Sequence, residues 1–194
     1  MKTIKSAVLI LFLAASFSFA QTSWGIDNSH SKIGFSVTHL VITEVDGFFK
    51  DFNASVISDE ESFEGSKIEF TAKTASIFTD NTKRDEHLRS DDFFNAEKFP
   101  NLTFVSKSFT KVNDKKYKLV GDLSIRDVTK EVVLDVVYNG TIKDPWGNTK
   151  AGFKLNGVIN RFDYGLKWNA AIETGGLVVG ENVKINANLE LVQK

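Results

Sequence analysis

Beyond residue 30 the chain alternates apolar and polar positions with a period of two, the mark of half-buried strands. Ile33, Phe35, Val37 and His39 share one face, and Gly34, Ser36 and Thr38 take the other. The same beat returns in Ile68, Phe70 and Ala72, in Leu102, Phe104 and Ser106, and in Tyr117, Leu119, Gly121, Leu123 and Ile125. It continues through Val132, Leu134, Val136 and Tyr138, through Ala151, Phe153, Leu155, Gly157 and Ile159, and through Val183, Ile185, Ala187, Leu189 and Leu191. Adding residues 47–57 gives about eight strands. Within 47–57 the alternation slips, since Phe48 and Phe52 share a face while Phe49 and Asp51 share the other, which predicts a bulge. Turn signals at Asn113-Asp114, Asn139-Gly140, residues 144–148 and Gly175-Gly176 make the connections short, so neighbouring strands should be antiparallel hairpins. No strand–helix rhythm supports a parallel sheet.

One stretch breaks the strand pattern. Residues 82–90 predict a short helix, with Thr82 as cap, Asp85 three residues on, and an Asp85–Arg89 pair at i,i+4. Phe93 and Phe94 follow in what should be an exposed connection, so they are expected to fold back onto an apolar surface or to lid one. Eight antiparallel strands could stack as a sandwich or close into a barrel. Closure removes the edge strands, and an eight-stranded barrel is just wide enough for one small ligand. Of the 17 phenylalanines three fall within residues 1–20, and the other 14 suit an apolar lumen as well as a solid core.

Composition narrows the function classes. With 24 basic and 25 acidic residues the formal charge is −1, and Lys and Arg are spread evenly, so the clustered positive stripe of a nucleic-acid binder is absent. There is no cysteine, which removes disulfides, thiolate catalysis and Cys-based metal sites. At the N-terminus Lys2 and Lys5 precede an apolar stretch ending Ser18-Phe19-Ala20. This predicts a secretory signal spanning 1–20 and a mildly acidic, soluble domain over 21–194. The apolar stretch is shorter than the roughly 20 residues of a membrane span, so no stable membrane anchor is expected. His30, His39 and His87 could in number hold zinc. His30 and His39 are an odd number of residues apart, however, and no Glu-x-x-His pattern supports them, so no metal site is expected. No Gly-x-Ser-x-Gly elbow points to a hydrolase, and no catalytic residue is assigned.

The opening Trp24-Gly25-Ile26-Asp27, His30-Ser31, Phe35, His39, Gly47 and Phe49 resembles that of the YceI family of bacterial periplasmic proteins. The run Arg84-Asp85-Glu86-His87-Leu88-Arg89-Ser90-Asp91-Asp92-Phe93-Phe94, with Phe99-Pro100, Leu102 and Phe104 behind it, is similar to that family's central signature. Gly121-Asp122-Leu123-Ser124-Ile125-Arg126, Val128-Thr129-Lys130 and Arg161-Phe162-Asp163-Tyr164-Gly165 resemble its later blocks. The resemblance implies an all-β protein, an eight-stranded antiparallel lipocalin-like barrel with one short helix near its mouth. It also implies a polyisoprenoid or similar amphiphile in the lumen, such as a prenyl quinone, prenyl phosphate or fatty amide. A departure falls at Asp127, where the family carries Gly; Asp tolerates a left-handed turn, so the turn should persist.

Under this reading the protein is a non-catalytic periplasmic lipid carrier with no cofactor beyond its ligand; association as a homodimer is left open. The alternative is a metal- or His-dependent enzyme acting on a hydrophobic substrate at the barrel mouth. Phe35, Val37, Phe70, Phe104, Leu123 and Phe153 are the candidate lumen wall, and Phe93 and Phe94 the candidate lid. Arg84 and His87 could meet a polar head group, or Asp85 could cap the helix while Arg84 ties it to the rim. His39 reads equally as a rim contact or a structural histidine. Arg161 and Asp163 read as a mutual ion pair.

Overall fold

The computed structural model describes residues 21–59, 62–171 and 175–194; the leader expected over 1–20 lies outside them. Eleven strand segments appear: β1 (Thr22–Ile26), β2 (Lys32–His39), β3 (Thr43–Phe49), β4 (Phe52–Ser58), β5 (Lys67–Lys73), β6 (Ile77–Phe78), β7 (Asn101–Lys111), β8 (Lys116–Ile125), β9 (Val128–Lys143), β10 (Thr149–Asn160) and β11 (Val179–Gln193). The one α-helix among the described residues, α1, is Thr82–Arg89. All pairings are antiparallel, and β1 pairs with both β4 and β11, closing the ring β1-β4-β5-β7-β8-β9-β10-β11. The eight-stranded barrel is therefore the fold.

Six short segments complete three long strands. Along β11, β1 pairs near Leu191 and β2 from Asn188 upward; β3 pairs with β2 and β6, and β4 with β1 and β5. The pairs β1/β2, β3/β4 and β5/β6 are thus three strands, each broken once, at 27–31, at 50–51 and at 74–76. The breaks line up across the sheet. Asn28 donates its side-chain N–H to the Phe52 carbonyl at 3.0 Å, Lys50 N–H to the Ser76 carbonyl at 3.1 Å, and Lys73 N–H to the Asp51 carbonyl at 2.9 Å. The slip in alternation at 47–57 is therefore a corner where one strand hands over to another, and the expected bulge is absent there.

Real bulges lie elsewhere. In β7, Ser106 faces Gly121 but Ser108 faces Val120, so Lys107 is the extra residue. That parity switch lets both Phe104 and Phe109 point inward from one strand. A second shift, between Gly152 and Phe153, re-aims β10 against β9.

The helix is capped by Asn81, whose side chain accepts from Arg84 N–H at 3.0 Å. Thr82 is the first helical residue, so the expected Thr82 cap moves back by one. Asp85 does not cap either. It is buried and its Oδ1 accepts from Thr79 N–H at 2.8 Å and Thr79 Oγ1 at 2.6 Å. Arg89 donates to the carbonyls of Ala75 and Ile77 and makes no pair with Asp85 among the described contacts. In the β8–β9 turn the left-handed residue is Arg126, at φ 57°, and not Asp127.

Candidate functional site: an apolar bore with one stoppered end

The inward faces enclose a cavity of about 180 Å³ lined by Phe35, Phe49, Phe63, Phe70, Phe94, Phe104, Phe109 and Phe153 together with Leu, Ile, Val and Ala side chains. No lining residue carries a charged or hydrogen-bonding side chain. On β11 the lining runs from Val183 to Leu191, about 26 Å of strand, or about 20 Å of depth at the tilt usual for such barrels. The cavity is therefore long and thin.

Glycines keep it open. A Cβ on Gly47 would lie 2.3 Å from Phe35 Cζ, and one on Gly121 2.3 Å from Phe104 Cζ. The tips of both rings occupy the space over a glycine of the neighbouring strand, where any other residue would place its Cβ. At Gly157 the space is taken by Leu134 Cδ2, 2.3 Å from the ideal Cβ. There the side chain fills the seam above the last β9–β10 rung, Asp135 opposite Asn156.

One end is plugged. Phe63, 2% exposed and in left-handed backbone, projects from the β4–β5 connection. It meets Trp24 at 5.0 Å, Phe153 at 5.1 Å and Tyr138 at 5.6 Å between ring centroids. Tyr117, stacked on Phe109 at 4.7 Å, donates its hydroxyl to the Ser62 carbonyl at 2.5 Å and anchors that connection.

The other end carries α1, the 91–99 connection and residues 161–171. Phe94 lines the bore and packs edge-on to Phe49 at 6.0 Å. Phe93 is buried one layer out, against His87 at 5.1 Å and Trp168 at 5.5 Å. Arg126 holds this lid by donating to the carbonyls of Phe93 and Asp91, and pairs with the Asp91 carboxylate at 3.2 Å.

The proposed wall residues Phe35, Phe70, Phe104, Leu123 and Phe153 all lie on the bore. Val37 does not. It sits higher on β2, opposite Val45 and Val183, where the β2–β3 hairpin overhangs the rim, and His39 is higher still, opposite Thr43 and Val179. Arg84 donates from Nε to Thr79 Oγ1 and from Nη2 to the Thr79 carbonyl, both at 2.7 Å, so with Asp85 it forms a network centred on Thr79. His87 Nε2 is 2.8 Å from Asp92 Oδ2, and its ring lies edge-on to Trp168 at 4.9 Å. None of these three reaches the bore.

Arg161 is not paired with Asp163. Its buried guanidinium donates to the carbonyls of Leu166, Trp168, Val179 and Gly180, joining residues 166–168 to the start of β11. Burial pulls its pKa down, with Glu181 opposing. Five donors in a planar fork explain why Arg serves here. Nearby, Tyr164 is fully buried with its hydroxyl unpartnered, and burial pushes its pKa up to about 12.

The histidines do not converge. His30 lies before β2, His39 at its far end and His87 on α1. Asp27, His30 and Glu190 do cluster outside the barrel, but Lys150 Nζ stands 2.7 Å from Glu190 Oε1 and 3.3 Å from Asp27 Oδ2. That ammonium already supplies the positive charge a metal ion would bring.

A YceI-like domain matches residues 24–191. The chain belongs to the YceI-like family. A UPF0312 protein of Staphylococcus aureus strain MSSA476 is 39% identical over 170 residues, 87% of this chain and 96% of that one. The YceI protein of Campylobacter jejuni superposes with a TM-score of 0.71 at 38% identity, over 81% of this chain and 90% of that one. A polyisoprenoid-binding domain from Saccharophagus degradans implicated in plant cell wall breakdown shares the fold, with a TM-score of 0.63 at 15% identity over 88% of this chain and 98% of that one. Among these relatives the Saccharophagus degradans domain is described by what it binds, a polyisoprenoid. Phe63, Phe109 and the glycines under the rings escaped the sequence reading of the site. Phe63 lies in a connection with no period, and an inward glycine in an alternating strand reads as a gap in the pattern.

Proposed function

We propose that this YceI-like protein is a non-catalytic carrier that holds a polyisoprenoid or similar long-chain amphiphile in its barrel, and that it works in the periplasm after removal of residues 1–20. The observation that carries this reading is the bore itself, an elongated cavity without a polar side chain on its wall. Such a wall offers nothing to a proton, a nucleophile or a metal ion, and it rewards apolar carbon at about 0.8 kcal/mol per buried methylene. Phe35, Phe70, Phe104, Leu123 and Phe153 are the proposed chain contacts, and Phe94 the contact at the rim.

Magnitude limits what the resting bore takes. A cavity of roughly 150 Å³ lined by Leu, Ile and Phe holds one benzene ring, so 180 Å³ suits on the order of one or two five-carbon units. A longer chain has to swing rings off their glycines, and the cost of that motion offsets part of the burial gain. Organic extraction of protein purified from its native compartment, followed by mass spectrometry, should release a prenyl or other long-chain amphiphile at near one per chain. Phe104→Asp should carry none, since it puts a carboxylate into the bore. Wild-type protein that repeatedly yields no extractable lipid would refute the reading.

A further inference from the structure

The apex of the β2–β3 hairpin is built against the usual chemistry of its turn. Ile42 N–H donates to the His39 carbonyl at 3.2 Å, and the two central residues, Leu40 and Val41, both have positive φ, at 51° and 67°. A tight turn with both central residues left-handed selects Asn-Gly. A β-branched residue there is a genuine outlier. Here the apex reads Leu-Val-Ile, and Val41 is 62% and Ile42 85% exposed. Left-handed backbone on Leu40 and Val41 adjoins uncovered apolar surface on Val41 and Ile42, and the two coincide at Val41.

Their position gives this meaning. Phe63 stoppers the opposite end, so a chain can enter the bore only at the end where this hairpin stands. Phe35 is the last residue of β2 to line the bore, and the apex rises about 15 Å beyond it. The apex is tied to the neighbouring rim segment, Leu40 N–H donating to the Val178 carbonyl at 2.9 Å, and it holds Val41 and Ile42 out at the edge of the rim. The carboxylate nearest the tip, Glu44, is paired with Lys184, and Asp46 is held by Ser36 Oγ at 2.5 Å. Approach to an anionic surface therefore meets little free negative charge on this hairpin.

We propose that Val41 and Ile42, presented by the Leu40-Val41 turn, insert into a lipid bilayer and seat the barrel rim on the surface from which its ligand is taken or to which it is returned. The proposal rests on the reading of the barrel as a carrier of an apolar chain. A pair of exposed apolar side chains at the rim gives reversible, peripheral attachment, which a carrier needs in order to leave again.

Flotation with vesicles of phosphatidylethanolamine and phosphatidylglycerol tests it. Wild-type protein should rise with the vesicles. The double variant Leu40→Asn, Val41→Gly installs the preferred turn, so its melting midpoint should equal or exceed that of wild type, while partitioning falls at least about tenfold, equivalent to about 1.4 kcal/mol. Ile42→Ser, which leaves the turn's central residues alone, should weaken partitioning in the same direction. Both variants should retain extractable lipid. Wild-type protein that stays at the bottom of the gradient, or variants that float as it does, would overturn the docking role even if lipid is carried. Wild-type protein that floats but never yields lipid would uphold docking and defeat the carrier reading.

Discussion

Asp27 shows how much a single side chain outside the bore can hold. Ser29 donates to its Oδ1 from the hydroxyl at 2.6 Å and from N–H at 3.0 Å, His30 Nδ1 is 3.0 Å from Oδ2, and Lys150 Nζ 3.3 Å. The Ser29 hydroxyl first, then His30, hold the carboxyl far below its usual range against the opposing effect of burial. A carboxyl depressed in the folded state stabilises the fold above its unfolded pKa, about 3.9, and loses that contribution as pH falls toward the folded value. Asp27→Asn should therefore cost about 1–2 kcal/mol at neutral pH, with the two stability curves converging as the pH drops below about 4. Chemical denaturation across that range reads the gap, and a gap constant from neutral pH to about pH 2 would show that the charge of Asp27 is irrelevant. At this scale the sequence was only partly readable. The motif Arg84-Asp85-x-His87 marked a helix correctly, but the partners of Arg84 and Asp85 depended on Thr79, five or six residues upstream, which has no motif of its own.

Among the elements, period-two alternation announced the long strands β7 to β11 because each runs for ten or more residues and leaves room for several inward positions in step. It announced the first three strands less clearly, since each is broken where the sheet bends, and a break resets the parity that the eye follows. The consequence for the bore is local and testable at Gly47. This residue sits opposite Phe35 on adjacent strands, and its ideal Cβ meets Phe35 Cζ at 2.3 Å and Thr79 Cγ2 at 2.8 Å. The first obstacle is the far end of a side chain that can rotate, so Gly47→Ala should fold, at a cost of about 1–3 kcal/mol. The displaced Phe35 ring should move into the lumen, and lipid recovered per chain should fall relative to wild type. Equal recovery would mean that Phe35 finds another place on the wall and that the glycine is not what keeps this level of the bore clear.

For the whole molecule, the asymmetry between its two ends decides what it can carry. At the rim, Arg161, Arg126 and Arg89 fasten the covering segments mainly through main-chain carbonyls, contacts that hold a shape without filling the lumen. At the far end the rings of Trp24, Tyr138 and Phe153 close on Phe63, and Tyr138 and Phe153 on each other, so the seal itself is aromatic. Depth is thus set by one side chain in an otherwise irregular connection. Phe63→Ala should cost about 3–5 kcal/mol by leaving a cavity among Trp24, Tyr138 and Phe153, a loss that a domain of ordinary stability survives at low temperature. The space vacated is continuous with the bore that Phe63 already lines. Lipids extracted from the variant should therefore shift toward longer chains, by about one five-carbon unit for the ring removed. Mass spectra of wild type and variant prepared side by side from the same cells give the comparison. An unchanged length distribution would mean that the ligand never reaches the stopper, and that chain length is selected at the rim, by the ring of Phe94 and the segments that Arg126 and Arg161 hold in place.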